Sequence, residues 1–132
     1  MTKKDIVAKY LGLPYKHMGR DAKTGLDCWG LIKSIYADHG IEIDDVENYE
    51  INWSKKGHDF FATDKHPEWQ KVSDPQFMDI VLFKASDLVV NHAGLVLDES
   101  RFIQSCRAGV IVCRLGEMQW FKRNAGYYRL KK

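Results

Sequence analysis

The stretch that most constrains this chain is Gly25-Leu26-Asp27-Cys28-Trp29-Gly30-Leu31. It reads as a tight turn that delivers a cysteine to the first position of a helix. Gly25 permits the turn, and Asp27 is a good N-cap, because its carboxylate can accept from the free amides of the first helical turn. From Cys28 onward the apolar residues fall at Leu31, Ile32 and Ile35, with Tyr36 beside them. That spacing predicts one buried helix face, and Gly40 supplies the stop. A thiol at a helix N-terminus lies in the positive end of the dipole, which favours thiolate. The adjacent Asp27 works against that, so a cationic partner for it is expected from elsewhere. Taken alone, the stretch also fits a buried structural cysteine, one of the most buried residue types.

Upstream, Thr2 and Asp5 resemble a capping box for a helix over about Lys3 to Leu11, ended by Gly12. Pro14 biases Leu13 away from helix, and the polar segment from Lys16 to Thr24 reads as a loop. Residues 41–76 read as a loop-rich insertion. It holds an acidic patch (Asp44, Asp45, Glu47, Glu50), spaced aromatic anchors (Trp53, Phe60, Phe61, Trp69), and a short helix at His58 to Ala62. The acidic patch is expected to be a solvated loop; a site for a cationic substrate group is the other reading.

From Met78 the pattern becomes strand-like. Asp79 to Phe83, Asn91 to Leu97, Arg101 to Cys106, Val110 to Leu115 and Tyr127 to Leu130 are short β-rich runs, separated by turn signals such as Asp98-Glu99-Ser100 and Ala108-Gly109. Short strands joined by short turns predict an antiparallel meander. Helices first and strands later is the α+β order. At 132 residues, with 45% apolar and 29% charged side chains, the chain fits one domain over 1–132.

A cysteine nucleophile needs a base, and the base needs an orienting partner. Of the five histidines, His92 alone opens a strand, with the small Ala93 and Gly94 after it. Gln104 lies on the next strand, and a hairpin centred on Asp98-Glu99 brings it within reach of the His92 ring. A neutral amide can fix a histidine's tautomer without adding charge, as in Cys-His-Asn sites.

Several classes are disfavoured. Net charge is +2, from 20 basic and 18 acidic residues, too balanced for an electrostatic nucleic-acid binder. No apolar run approaches the roughly 20 residues that span a bilayer, so no membrane insertion is expected. Three cysteines without a close pair argue against a disulfide scaffold or zinc ribbon, although Cys106 and Cys113 can approach one another across the turn at Ala108-Gly109. No metal and no cofactor are expected. The start of the chain lacks an apolar leader, so synthesis in the cytoplasm is expected.

Together these residues resemble the NlpC/P60 family of papain-like cysteine peptidases. The family's D-C-x-G-L helix start is matched by Asp27-Cys28-Trp29-Gly30-Leu31, its H-x-G strand by His92-Ala93-Gly94, and its third polar position by Gln104. Gly12-Leu13-Pro14-Tyr15 resembles its G-x-P-Y element. Met78-Asp79-Ile80-Val81 resembles its G-D-hydrophobic strand, with Met78 in place of the usual glycine. The tryptophan-containing insert around Tyr49 to Trp69, and the closing Trp120 and Tyr127-Tyr128, look closest to the phage tail-associated subgroup. The resemblance implies the papain-like NlpC/P60 fold, with Cys28 as nucleophile, His92 as general base and acid, and Gln104 as orienter. It implies an oxyanion and substrate-binding role for Tyr15, Asp27 and Trp29, the Cys28 amide sharing in the oxyanion hole. Many members have histidine at the Gln104 position; glutamine cannot take charge, so the Cys28–His92 pair holds any ion pair with less help. The substrate implied is the peptidoglycan stem peptide, cut between D-glutamate and the diamino acid. A phage tail tip acting at the cell wall is the expected location, with other tail-tip proteins as partners. Two other readings stay open: a tail structural protein that has lost hydrolysis, and a different thiol-dependent amidase or acyltransferase on the same fold.

Overall fold

The computed structural model describes residues 1–43, 69–84 and 90–131. Helix α1 spans Lys3–Tyr10, and its N-terminus is held by a complete capping box, the Asp5 amide donating to Thr2 Oγ1 and the Thr2 amide to Asp5. A two-stranded ribbon follows, β1 (Arg20–Asp21) against β2 (Gly25–Leu26), and leads straight into helix α2 (Cys28–Asp38). Six strands make the main sheet: β3 (Trp69–Val72), β4 (Ile80–Lys84), β5 (Val90–Val96), β6 (Arg101–Cys106), β7 (Gly109–Arg114) and β8 (Asn124–Leu130). A single helical turn, α3 (Met118–Phe121), lies between β7 and β8. Among the described residues no helix is long and apolar enough to cross a membrane.

The sheet order is β3-β8-β4-β5-β6-β7, with every pairing antiparallel. Strands β4 to β7 form the expected meander. The last strand departs from it: β8 crosses back to the free side of β4 and carries β3 on its outer edge. Strand β3 lies inside the segment read as loop-rich insertion. Its burial pattern explains why it reads as loop, since only Trp69 is fully buried while Gln70 and Lys71 face solvent, as suits an edge strand. The acidic patch and the short helix at 58–62 lie outside the described residues.

Side chains alternate across the sheet. Ile80, Leu82, Ala93, Leu95 and Ile103 face α2, whose Leu31, Ile32 and Ile35 fill the main core. Val81, Phe83, Val96 and Phe102 face the other way, under Leu115 and Trp120. The β4–β8 junction is locked where the Arg129 guanidinium grips the buried Asp79 carboxylate through both oxygens at 2.8 Å. The β6–β7 tip is fastened to the chain after α1, because the Gly12 amide donates to the Val110 carbonyl at 3.0 Å and the Val110 amide to Leu13 at 2.9 Å. That fastening sets the Leu13-Pro14-Tyr15 segment alongside β2, where Tyr15 bridges Leu26.

Candidate active site

Cys28 stands at the start of α2, where the Gly19 loop closes on the first turn of the helix. Gly19 and Gly30 touch: a side-chain carbon on Gly30 would fall 2.0 Å from the Gly19 carbonyl oxygen. The Asp27 carboxylate caps the helix, its Oδ1 accepting from the Gly30 amide and from Arg20 Nη1, each at 2.7 Å. Arg20 is therefore the cation that the sequence required beside Asp27. Asp27 is 2% exposed, and its Oδ1 serves the helix start. Trp29 is 3% exposed within the main core, and its backbone amide favours the ionised thiol of Cys28.

Cys28 is 7% exposed, and its thiol lies beside the backbone amide of Ala93, the residue after His92. Burial, with Asp27 adding to it, pushes the thiol up to about 12, against smaller opposing effects of the Ala93 and Trp29 amides and of Arg20. Burial thus works against the thiolate that a helix N-terminus favours, and it is the larger effect.

His92 opens the other half of the site. It faces away from the main core, stacked on Phe83 at 6.0 Å between ring centroids and flanked by Trp120 at 6.1 Å. A β-bulge lies next to it, since Phe83 pairs with His92 whereas Lys84 pairs with Val90, and bulges re-aim neighbouring side chains. Gly94 is needed for close strand packing: a side-chain carbon there would sit 2.7 Å from the Phe102 ring. His92 Nε2–H donates to Gln104 Oε1 at 2.5 Å. Because a carbonyl oxygen only accepts, the proton is on Nε2 and Nδ1 carries the lone pair. Gln104 is fully buried, and its Nε2 donates to Cys113 Sγ at 3.2 Å.

Burial pulls the His92 imidazole down to about 4; the Gln104 contact raises it, and the charge of Arg123 lowers it further. Burial thus favours the neutral thiol of Cys28 and the neutral imidazole of His92. The depressed histidine has a consequence for stability. The unfolded imidazole binds its proton near 6.5, the folded one near 4, so the unfolded chain holds more protons in between. Stability from this group is complete above about pH 6.5 and is lost as pH falls towards 4, by about 3 kcal/mol in all. Urea midpoints measured from pH 7 to pH 4.5 are expected to fall more steeply for wild type than for His92→Gln; parallel curves would contradict the buried neutral imidazole.

Tyr15 is partly exposed on the rim. Its hydroxyl is pushed up by burial and by the nearness of Cys28 and Asp27, and pulled down by Arg107. The structure therefore brings Cys28, the His92 strand and Tyr15 together, and Gln104 onto His92. Cys106 and Cys113 do not meet. Cys106 pairs with Gly109 and Cys113 with Phe102, four residues apart along β6, roughly 13 Å at strand spacing and beyond disulfide reach. Sequence reasoning missed Arg20, Gly19 and Cys113. The signal for Cys113 was its place two residues beyond Ile111, the partner of Gln104, which puts it on the same sheet face. Among the described residues no three His, Cys, Asp or Glu side chains gather as a metal centre would need.

A family model described as NlpC/P60 family matches residues 12–129. The chain is 24% identical over 127 residues to the bifunctional muramidase/DL-endopeptidase CwlT of Bacillus subtilis strain 168, spanning 93% of this chain and 34% of that protein. Its fold superposes on an NLP/P60 family protein, similar to a lipoprotein, from Staphylococcus aureus Mu50 with a TM-score of 0.73 at 24% identity, covering 99% of this chain and 41% of that one. It also superposes on the NlpC/p60 domain of the peptidoglycan hydrolase SagA, with a TM-score of 0.60 at 20% identity and complete coverage of both chains. The chain thus spans about a third of CwlT and two fifths of the S. aureus protein.

Proposed function

The chain belongs to the NlpC/P60 family, and from that membership we propose that it is a cysteine endopeptidase acting on peptidoglycan stem peptides. The observation that carries the reading is the Cys28 thiol at the N-terminus of α2, lying against the Ala93 amide, with the adjacent His92 held by Gln104 as the Nε2–H tautomer. In the proposed reaction the thiol proton passes to His92 Nδ1 as sulfur attacks the scissile carbonyl. Burial favours the neutral form of both groups, so proton transfer accompanies attack or follows the expulsion of water by substrate. The Cys28 amide and the Tyr15 hydroxyl stabilise the oxyanion. His92 then returns the proton to the leaving amine, which departs and leaves a thioester on Cys28. Water, losing a proton to the same Nδ1, attacks that thioester and releases the acid and the free thiol.

Cleavage between D-glutamate and the diamino acid draws on the family pattern and on the naming of CwlT as a DL-endopeptidase. Delivery by a phage tail, with tail-tip partners, draws on sequence pattern alone, chiefly the tryptophan-containing insert ahead of the sheet.

Mass spectrometry of soluble muropeptides incubated with the protein tests the substrate and bond. A new product pair split after D-glutamate is expected. A pair split elsewhere would contradict the bond, and no product across several stem-peptide chemistries, from verified folded protein, would contradict the peptidase. Detection of the chain in purified tails is expected if a tail delivers it; absence from them would contradict delivery.

A further inference from the structure

The side-chain amide of Gln104 can face His92 in two ways, and only one suits a general base. With Oε1 on His92, the imidazole proton sits on Nε2 and Nδ1 keeps its lone pair, the form a general base needs. With the amide reversed, its NH₂ would donate to Nε2, the ring proton would move to Nδ1, and the base would be lost. His92 cannot make the choice itself, because a neutral imidazole serves as donor or acceptor equally well at that nitrogen. The choice is made at the far end of the amide.

There Gln104 Nε2 lies 3.2 Å from Cys113 Sγ. Cys113 sits on β7, diagonal to Gln104 on the same face of the sheet. Trp120 lies over the same face, its ring 6.1 Å from that of His92 and its buried Nε1–H without a hydrogen-bond partner among the described residues. With Gln104 Nε2–H directed at it, the Cys113 sulfur acts as the acceptor, which leaves Oε1 for His92. Trp120 in turn packs edge-on against Phe102 at 5.6 Å and tilted against Phe83 at 5.2 Å, so its position is set by the second core.

We propose that Cys113 is a positioning residue: by accepting from Gln104 it holds the amide with Oε1 on His92 and so fixes the tautomer that leaves Nδ1 as the base. The proposal rests on the reading of His92 as the base for Cys28. It also gives this third cysteine a role that needs neither oxidation nor a disulfide.

The test compares Cys113→Val, which fills the space without an acceptor, with Cys113→Ser, which keeps one. Long-range proton–nitrogen spectra near pH 7, with His92→Gln to assign the signals, report the His92 tautomer without any substrate. Wild type and Cys113→Ser are expected to show Nε2–H, and Cys113→Val a mixture with Nδ1–H. Alkylation at Cys28 by iodoacetamide, localised by peptide mass spectrometry, is expected to slow about tenfold in Cys113→Val and to recover in Cys113→Ser, as loss of the right tautomer would cause. If the valine variant does not fold, Cys113→Ala carries the same readouts. An unchanged tautomer and unchanged alkylation in the variant without an acceptor overturn the proposal. Both readouts are independent of peptide cleavage, so an inert protein whose tautomer responds as expected would count against the peptidase reading and leave this one standing.

Discussion

Replacing Cys28 by alanine is expected to lower turnover of a stem peptide by on the order of 10⁴-fold or more, while leaving the fold in place. Two features of the site set these expectations apart. The thiol is the atom that would form the acyl bond, and the other two cysteines, Cys106 and Cys113, lie on β6 and β7. Its removal costs little in packing, because Cys28 is at the helix end and the cap is made by Asp27 to Gly30, which the substitution does not touch. A stability change within about 1 kcal/mol is expected from loss of one buried sulfur. His92→Ala is expected to approach the same loss of turnover, since the thiol held near 12 has little thiolate of its own at neutral pH and needs the base. Turnover by Cys28→Ala within tenfold of wild type would remove the nucleophile from the account.

The second large effect is expected from Gly30→Ala. Helix propensity alone predicts a gain of about 1 kcal/mol, because alanine is the better helix former. The structure reverses the sign. The new methyl would lie 2.0 Å from the Gly19 carbonyl oxygen and 3.2 Å from the Asp27 carboxylate. Neither is a flexible side-chain end: one is backbone, and the other is fixed by the Gly30 amide and Arg20. Relief requires α2 to withdraw from the Gly19 loop, at a cost typical of overpacking, about 2 kcal/mol net. The first turn of the helix is what carries Cys28 to the Ala93 amide, so turnover should fall by about 10²-fold, as a displacement near 1 Å can cause. Urea denaturation and kcat measured together test this. A variant more stable than wild type with unchanged kcat would show that the close approach of Gly19 and Gly30 is not what seats the nucleophile.

How much of this was legible in the sequence depended on whether the controlling physics is local. Helix starts were readable because caps are local: Thr2 with Asp5, and Asp27 ahead of Cys28, act where the sequence predicts. The hairpin carrying His92 and Gln104 was readable because turn chemistry at Asp98 to Ser100 sets the register, and Asp98 Oδ1 does accept from the Ser100 and Arg101 amides at 2.9 Å. Strand partnership across a long separation was not readable. Nothing in Tyr127 to Leu130 says that it returns to β4, and the polar Gln70-Lys71 conceals that Trp69–Val72 is a strand. Met78 shows the converse case. Its φ of 80° lies in the left-handed region, which explains why the resembled pattern has glycine there and why methionine at this site carries strain.

The protonation states were the least legible part. A helix N-terminus favours thiolate, and that is a local inference; burial of both Cys28 and His92 is a property of the assembled sheet and helix, and it dominates. The sequence likewise gives no sign that Gln104 is held from behind, because Cys113 meets it only through the β6–β7 register.

The measurement that bears most directly on the central claim is intact mass of the protein after rapid acid quench from a stem-peptide substrate, followed by peptide mapping. The account predicts an acyl adduct on wild type, mapped to Cys28 as a thioester labile to hydroxylamine, and none on Cys28→Ala. Product formation from wild type that persists in Cys28→Ala, or an acyl adduct mapped to Cys106 or Cys113 instead, would contradict it.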